Sequence, residues 1–538
     1  MSEVSTHSSP VVAMASGTLV SRVSGLLRVL VLAWVLGFTP ISDAFNLANT
    51  VPNMLFDLVL GGVLTATFIP VFVERLAFDG ERRAWKSISS VVTGSLIVLL
   101  GASVVSWFCA PWIIDAFTFL QHSSSAHSAV VLVQQRAVAT QLLRWFVPQI
   151  FFYGVIAVAT ALLNIRHRFG VATWVPIANN MVCVGVLVWF HLVDPTPVLA
   201  TLGGSHDLLW LGLGTTLGVA VQFLCLVPSL ARSDLWRLSF RLDLKDPAVR
   251  AVARLGSWTL AVVLSNQLSL FVVLAFAFGI GGNGPVSAYT YGFSFMLMPY
   301  AVVVVSVLGA VTPQLARLAT AQDFAGLSER LRFALRQSLV IIVPCSFVLI
   351  VLSQPLAAIL LHHVNAHHRL SVGTVLAVLA AGLPGFTVFQ LAVRGLQAMQ
   401  RAREMFMLYA FENGLTIVLC VLLGRHSLAG LTASVSVGYT AAALAALFVL
   451  ARYHVNIIAG LWSVHVRRSL LASLVASVVM VLVYAVPTST HGVGLIARFA
   501  AALLIGVLAY GLVVVALRQR LRRRTSKGVR LEQFKGGS

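Results

Sequence analysis

The chain has 538 residues, 59% of them apolar and only 10% charged, with a formal net charge of +20 at pH 7. A mean hydropathy of +0.92 excludes a water-soluble globule of this length, so lipid must be the solvent for most of the chain. The basic residues are almost all arginine and sit mostly in short loops between apolar runs, so they read as determinants of membrane orientation, and no nucleic-acid partner is expected.

Residues 1–10 show neither a basic n-region nor a small-residue cleavage site and are expected to remain as a cytoplasmic N-terminus. Apolar runs long enough to span a bilayer follow at roughly 11–37, 43–73, 88–112, 136–163, 171–192, 208–230, 249–279, 286–314, 334–360, 371–397, 405–424, 428–451, 469–487 and 493–517. Alternate loops carry the basic residues: Arg75, Arg82, Arg83 and Lys86; Arg166 and Arg168; Arg232, Arg237, Arg241 and Lys245; Arg317, Arg330 and Arg332; Arg401 and Arg403; Arg452, Arg467 and Arg468; and the tail from Arg518. The positive-inside rule then places both termini in the cytoplasm, which requires an even number of spans and agrees with about fourteen. The five cysteines, Cys109, Cys183, Cys225, Cys345 and Cys420, each lie singly in an apolar stretch and read as small apolar fillers.

The first segment contains Ser21-Arg22-Val23-Ser24-Gly25-Leu26-Leu27-Arg28, two guanidinium groups inside an apolar helix. Arg22 lies roughly 16 Å from the nearer end at about 1.5 Å per residue, too far to snorkel to water. Each such arginine costs about 2.5–3.5 kcal/mol to insert and needs a partner or an aqueous cavity; the alternative is a purely internal hydrogen-bond hub. In the second segment Asp43, Asn46, Thr50, Asn53 and Asp57 line one helical face, with Pro52 freeing a carbonyl beside them. This stripe reads either as part of a cationic cavity for a phosphate-bearing head group, or, for the two aspartates, as neutralisers of the arginines.

An internal repeat joins Ile41-Ser42-Asp43-Ala44-Phe45 and the run Phe68 to Ala77 with a weaker echo in Val286 to Thr290 and Val311 to Ala319. It predicts an all-α integral membrane protein of about fourteen transmembrane helices, with two six-helix lobes in parallel pseudo-repeat plus two C-terminal helices. The lobes are 11–230 and 249–451, joined by a cytoplasmic linker at 231–248; the last two helices occupy 469–517 and a basic cytoplasmic tail 518–538. Parallel repeats around a central pathway are a transporter architecture.

Further polar residues inside spans are Asn179-Asn180, Asn266-Gln267 and Asn413, read as interhelical hydrogen bonders. Glu412 is ionisable, and is a candidate either for binding a coupling cation or for pairing with Arg394. His362, His363, His367 and His368 lack an acidic or Cys companion and read as a solvated loop, so no metal is expected. Gly214-Thr215-Thr216-Leu217-Gly218 reads as helix packing, and Arg518 to Arg524 as a stop-transfer anchor on anionic lipid. No lysine follows the glycines of a GxxxxGK[ST] loop, and neither HExxH nor GxSxG occurs, so a transporter without ATPase motif or cofactor is expected rather than an enzyme. Its energy must come from an ion gradient, the membrane potential or a partner.

The residues Ser21-Arg22-Val23, Gly25 and Arg28, then Ser42-Asp43-Ala44-Phe45, Val51-Pro52-Asn53 and Phe68-Ile69-Pro70, resemble the MurJ/MviN family of lipid II flippases. Gln141 to Arg144 with Pro148, and Leu163-Asn164 with Arg168-Phe169, Pro176 and Asn180, extend the resemblance. It implies fourteen helices, two lobes around a central cavity, and a groove of the last two helices for a polyprenyl tail. It also implies that Arg22 and Arg28 meet the pyrophosphate and that Asp43 supports the site. The chain departs from the family pattern at Phe56 and Asp57, where arginine is common, at Ser294, and over Gly395 to Glu404, which lacks an Asp-x-x-Thr-Pro run.

The expected function is thus a flippase moving a polyprenyl-diphosphate-linked cell-wall precursor, lipid II, from the inner to the outer leaflet of the bacterial plasma membrane by alternating access. Cell-wall synthesis proteins are candidate partners, and a monovalent cation or the membrane potential is the candidate driving force. The rivals are a flippase for another polyprenyl-diphosphate glycan, a cation-coupled drug exporter, which would favour acidic and aromatic residues over buried arginine, and a non-transporting scaffold. The topology has a direct test: in whole cells, a single cysteine at Ser205 should react with an impermeant thiol reagent and one at Ala84 should not, and the opposite pattern would invert the orientation.

Overall fold

The structure is a computed structural model that describes residues 8–58, 81–121, 126–165, 169–232, 239–243, 247–282, 284–361, 364–485 and 493–535. In chain order the helices are α1 (Ser8–Leu36), α2 (Pro40–Phe56), α3 (Glu81–Thr118), α4 (Ala126–Phe146), α5 (Pro148–Ile165), α6 (Phe169–Val193), α7 (Leu199–Leu202), α8 (His206–Ala231), α9 (Pro247–Gly279) and α10 (Pro285–Pro299). A π-helical turn, Tyr300–Val304, leads into α11 (Val305–Thr320), α12 (Phe324–Val351), α13 (Ser353–Leu360), α14 (Ala366–Ala398) and α15 (Ala402–Leu419). A second π turn, Cys420–Gly424, precedes α16 (Leu428–Arg452), α17 (Ile458–Leu461), α18 (Val464–Ala485) and α19 (Val493–Lys535).

Among the described residues there is no strand, as expected where hydrocarbon leaves each backbone group to be bonded within its own helix. Among the described residues, thirteen stretches are long and apolar enough to cross a membrane, and each coincides with a segment predicted from the sequence. The remaining predicted segment, 43–73, is described only in its first part, α2; its continuation, with the Phe68 to Ala77 repeat motif, lies outside the described residues. Large apolar side chains such as Trp112 and Leu192 stand more than two-thirds exposed, a surface that only lipid can cover at low cost.

Local chemistry explains the helix ends. Pro40, Pro148, Pro247 and Pro285 each open a helix, where the missing N–H has no intrahelical partner to lose. The segment predicted at 136–163 is two helices, α4 and α5, because Pro148 cannot donate back into α4 and Val147 forms the break. Thr39 caps α2 by accepting from Ser42 N at 3.2 Å, Ser205 caps α8 by accepting from Leu208 N at 3.1 Å, and Asp323 caps α12 by accepting from Gly326 N at 2.8 Å.

The chain packs as two compact units. Unit 1 comprises Met1–Phe295 and Ala402–Ser434, and unit 2 comprises Met296–Arg401 and Val435–Ser538. In unit 1, α6 packs on α1 and α8, α2 on α4, and α9 on α3 and α15. A methyl group on Gly214 would lie 2.6 Å from Val186 Cγ1, and one on Gly218 2.6 Å from Asn179 Oδ1, so the small residues of α8 serve its close approach to α6. In unit 2, α12 packs on α14 and α18, and α18 on α19, around Leu352, Ala476, Met480 and Ala502. The compact units are drawn differently from the two lobes of the repeat: α9, α15 and the first turns of α10 pack within unit 1. Part of the reason is a polar clasp between α2 and α10.

Candidate functional site

α1 presents its two arginines on different faces. Arg28 lies six positions after Arg22, which at about 100° per residue turns them roughly 120° apart. Gly17, Ser21, Ser24, Gly25 and Arg28 form the seam that α1 shares with α6. A methyl group on Gly17 would lie 2.5 Å from Trp174 Nε1, and Asn180 Nδ2 donates to Ser24 Oγ at 2.9 Å. Arg28 is half-buried on this seam, with its guanidinium within hydrogen-bonding reach of the Cys183 thiol and electrostatic reach of the Tyr153 hydroxyl. Tyr153 OH in turn donates to Gln149 Oε1 at 3.1 Å, and Gln149 Nε2 to Thr216 Oγ1 at 3.0 Å. Every one of these neighbours of Arg28 is neutral. Arg22 is exposed on another face and has no hydrogen bond or ion pair with a described residue.

The polar stripe of α2 divides in two. At its start, Asp43 and Asn46 are buried against the beginning of α10. Asp43 Oδ1 accepts from Ser287 N at 2.8 Å and Ser287 Oγ at 2.6 Å, while Oδ2 accepts from Gly284 N at 3.0 Å. The carboxylate therefore caps the N-terminus of α10, where unpaired N–H groups and the helix dipole favour negative charge. Asn46 Nδ2 donates to Ser287 Oγ at 3.0 Å and Tyr291 OH at 3.2 Å, and Ser42 Oγ lies 3.1 Å from Tyr291 OH and 2.9 Å from Ser287 Oγ. Ser287 has one hydroxyl proton, and the carboxylate is its strongest acceptor. Gly284 permits the approach: its φ is +89°, and a Cβ there would fall 2.6 Å from Phe38 Cβ.

At its other end, α2 exposes Asn53 and Asp57. Asn53 Nδ2 bonds its own helix at Asn49 O, 2.9 Å away, and Asp57 Oδ2 accepts from Gln267 Nε2 of α9 at 3.3 Å. Phe56 packs on Tyr153 with ring centroids 5.8 Å apart, which brings this end of α2 beside the surroundings of Arg28. Neither aspartate forms an ion pair with either arginine, so the reading of Asp43 and Asp57 as neutralisers of Arg22 and Arg28 is not what the structure displays; Asp43 serves α10 instead.

Glu412 is buried in α15, where Thr416 Oγ1 donates to its Oε1 at 3.5 Å and no cationic side chain among the described residues pairs with it. Arg394 donates to Gln397 Oε1 at 2.7 Å. The amides bond between helices: Asn413 Nδ2 to Asn266 Oδ1 at 2.7 Å, Gln267 to Asp57, and Asn180 to Ser24. Ser294 bonds its own helix at Thr290 O. Among the described residues no three His, Cys, Asp or Glu side chains are grouped to hold a metal ion; His362 and His363 lie outside them. Cys183 is more than a filler, since its Sγ donates to Asn179 Oδ1 at 3.3 Å and faces Arg28. Tyr153, Gln149, Ser287 and Tyr291 are the members of these networks that sequence reasoning left without a partner.

A sequence profile described as Lipid II flippase MurJ matches residues 32–512. The lipid II flippase MurJ of Burkholderia cenocepacia is 28% identical over 394 residues, covering 71% of this chain and 72% of that protein. The probable lipid II flippase MurJ of Rhizobium meliloti is 25% identical over 400 residues, covering 72% of this chain and 70% of that protein. In fold, the chain is similar to a lipid II flippase MurJ structure in an inward closed conformation, with a TM-score of 0.75, 20% identity, and coverage of 95% of this chain and 99% of that one. An inward-facing multidrug resistance MATE family transporter of the MOP superfamily follows with a TM-score of 0.65, 15% identity, and coverage of 82% and 96%.

The clasp between α2 and α10 has a measurable energy. Asp43→Ala leaves two buried N–H groups and a hydroxyl short of their acceptor, and should lower unfolding stability by about 2 kcal/mol or more. Asp43→Asn keeps an acceptor and should cost about half of that. In a thermal-denaturation double-mutant cycle, Asp43→Ala and Ser287→Ala should be non-additive by more than about 0.5 kcal/mol, and strict additivity would contradict the clasp.

Proposed function

We propose that this chain, which belongs to the lipid II flippase MurJ family, is a lipid II flippase: a multi-pass membrane transporter that moves the lipid-linked peptidoglycan precursor across the bilayer. The match of the family profile across residues 32–512 carries this reading. The local chemistry supports it at α1, where Arg28 and Arg22 have no carboxylate partner among the described residues, so each retains a charge for a ligand anion.

In this reading the pyrophosphate of lipid II is the anion. Arg28 is oriented by Cys183 and the Tyr153 to Gln149 to Thr216 chain, and donates to one phosphate. Arg22, about 9 Å along the same helix, donates to another phosphate or collects the head group on entry. Asn53 and Asp57 line the approach, and Asp57 steers the amine- and amide-bearing part of the head group rather than its phosphates. The clasp of Asp43 and Asn46 on Ser287 and Tyr291 stands at the ends of α2 and α10 that face outward if both termini are cytoplasmic. It closes the outward exit, and alternating access requires it to break and re-form.

The chain lies in the bacterial plasma membrane with both termini in the cytoplasm and works beside the cell-wall synthesis proteins that make and consume lipid II. The driving force is a monovalent cation gradient or the membrane potential. Glu412 is the residue through which a cation acts, because it is a buried carboxylate whose one described hydrogen bond is to Thr416.

The arginines separate this reading from a drug exporter and from a scaffold. In a strain depleted of its own lipid II flippase, the wild-type chain should restore growth, and Arg22→Ala or Arg28→Ala should abolish the rescue. A charge-assisted contact of about 1.5–3 kcal/mol corresponds to a roughly ten- to hundredfold loss of affinity. Lysine at either position keeps the charge without the bidentate fork and should rescue in part. Protein in the membrane should be undiminished, because removing a charge lowers the insertion cost. Well-expressed alanine variants that still support growth would sink the pyrophosphate assignment; alanine variants missing from the membrane would assign the arginines to helix packing.

A further inference from the structure

Unit 1 holds a third intramembrane arginine that the transport site does not use. Arg144, in the last turn of α4, lies within the apolar stretch Ser128–Leu163. At about 1.5 Å per residue it stands roughly 24 Å from one end of that stretch and 28 Å from the other, beyond the reach of a snorkelling side chain. It also turns away from the surroundings of Arg28. Its neighbours Trp145 and Gln149 face α8, where Thr216 Oγ1 donates to Trp145 O at 2.7 Å and accepts from Gln149 Nε2 at 3.0 Å. Arg144 faces α3 instead, with its guanidinium carbon 5.2 Å from the centroid of the Trp107 ring.

A ring face attracts a cation through its quadrupole but supplies no counter-charge. The ion pairs among the described residues are Arg136 with Asp115 and Arg241 with Asp243, so no described carboxylate neutralises Arg144. Its buried Nε has no hydrogen-bond partner. A guanidinium at this depth is costly unless it is paired or hydrated.

Trp107 is also one wall of a cavity of about 380 Å³ between α3 and α5, lined further by Ser103, Phe108, Pro148, Phe151 and Phe152. Trp107 and Phe108 are exposed, so the cavity opens toward the hydrocarbon. Ser103 is buried in its wall, and its Oγ has no partner. Other hydroxyls of α3 behave differently: those of Ser90, Ser106 and Thr118 each donate to the carbonyl four residues back. Ser103 stands roughly 27 and 22 Å from the ends of the apolar stretch Trp85–Thr118, so it shares the depth of Arg144.

The groove thus combines apolar walls, an uncompensated cation at its edge and an unused hydroxyl, all near the bilayer centre. Few anions reach that depth from the lipid side. Phosphates and carboxylates of lipid head groups lie at the interface, about 15 Å away across half of the hydrocarbon. An anion fixed at the centre has to be carried by a chain that spans the bilayer, as an aspartate or glutamate within a helix. We propose that the groove between α3 and α5 docks a transmembrane helix of another protein, whose mid-span carboxylate pairs with Arg144 and whose polar face meets Ser103. The groove is separate from the arginines of α1, and the proposal stands whether or not the chain transports lipid II. A polar contact between helices in a bilayer strengthens association roughly five- to thirtyfold.

The test places the purified full chain in phosphatidylcholine vesicles with synthetic single-span peptides, a leucine host carrying aspartate or leucine at its central position, and reads association by fluorescence energy transfer. Wild type should bind the central-aspartate peptide roughly five- to thirtyfold more tightly than the all-leucine one. Arg144→Gln should lose that preference, and Arg425→Gln, at an exposed arginine of unit 1, should keep it. Arg144→Lys preserves the charge and should retain part of the preference, which separates loss of charge from misfolding. A peptide with its aspartate moved to one end should bind no better than the all-leucine host. Equal binding of the two peptides by wild type, an undiminished preference in Arg144→Gln, or a preference that survives moving the aspartate to the end would overturn the proposal. Displacement of the aspartate peptide by equimolar palmitate would also overturn it, by making the groove a site for a free lipid acid and not for a helix.

Discussion

A charge in hydrocarbon has no solvent to bond to, and much of the arrangement of unit 1 follows from how its few intramembrane charges are accommodated. Asp43 is fully engaged: three donors from the start of α10 surround its two oxygens, and the helix dipole adds its own attraction. Arg28 meets the opposite treatment, with neutral partners that orient its guanidinium and leave its charge uncompensated. A satisfied charge holds helices together; an oriented but unneutralised one is suited to a ligand of opposite sign.

The same contrast bears on how such a protein moves. Apolar side chains gain little by leaving lipid for another helix, so helix association in a membrane depends on close packing and polar contacts. The α6 to α8 seam, tightened by Gly214 and Gly218, is a packed contact with no slack. The contact between α2 and α10 is built from hydrogen bonds among Ser42, Asp43, Asn46, Ser287 and Tyr291, each individually worth little against water. Such a contact is stable while dry and weak once wet. On the alternating-access account, that is what an exit should be: firm until water enters and then easily parted.

The helices, their number and the gross function were legible in the sequence because hydropathy is a long-range average and arginine stands out against it. The resemblance at Ser21 to Arg28 and at Ser42 to Phe45 pointed to the family that the profile match establishes. Partners were harder to read. Asp43 falls on the same stripe as Asn53 and Asp57, yet its ligands are backbone N–H groups more than two hundred positions away, and backbone donors carry no side-chain signature. Ser287 lies in the weaker repeat echo at Val286 to Thr290, and its role, with Tyr291, as a binding partner of the α2 stripe follows only from tertiary contact. Cys183 gave no signal at all, because a lone cysteine in an apolar helix is the same letter whether it fills space or meets an arginine. The split of α4 from α5 is marked by Pro148, but the apolar run Trp145-Phe146-Val147 carries across it with no polar gap to signal a break.

The central claim is that this chain carries lipid II across the bilayer. The most direct measurement is the fraction of lipid II exposed on the outer leaflet of cells depleted of their own flippase, read by its destruction by an externally added lipid II-cleaving enzyme. Expressing this chain should raise the cleaved fraction to that of undepleted cells, and expressing its Arg28→Ala form at equal abundance should leave it at the depleted level. Lipid II that stays protected from the enzyme while the wild-type chain is abundant in the membrane would contradict the account.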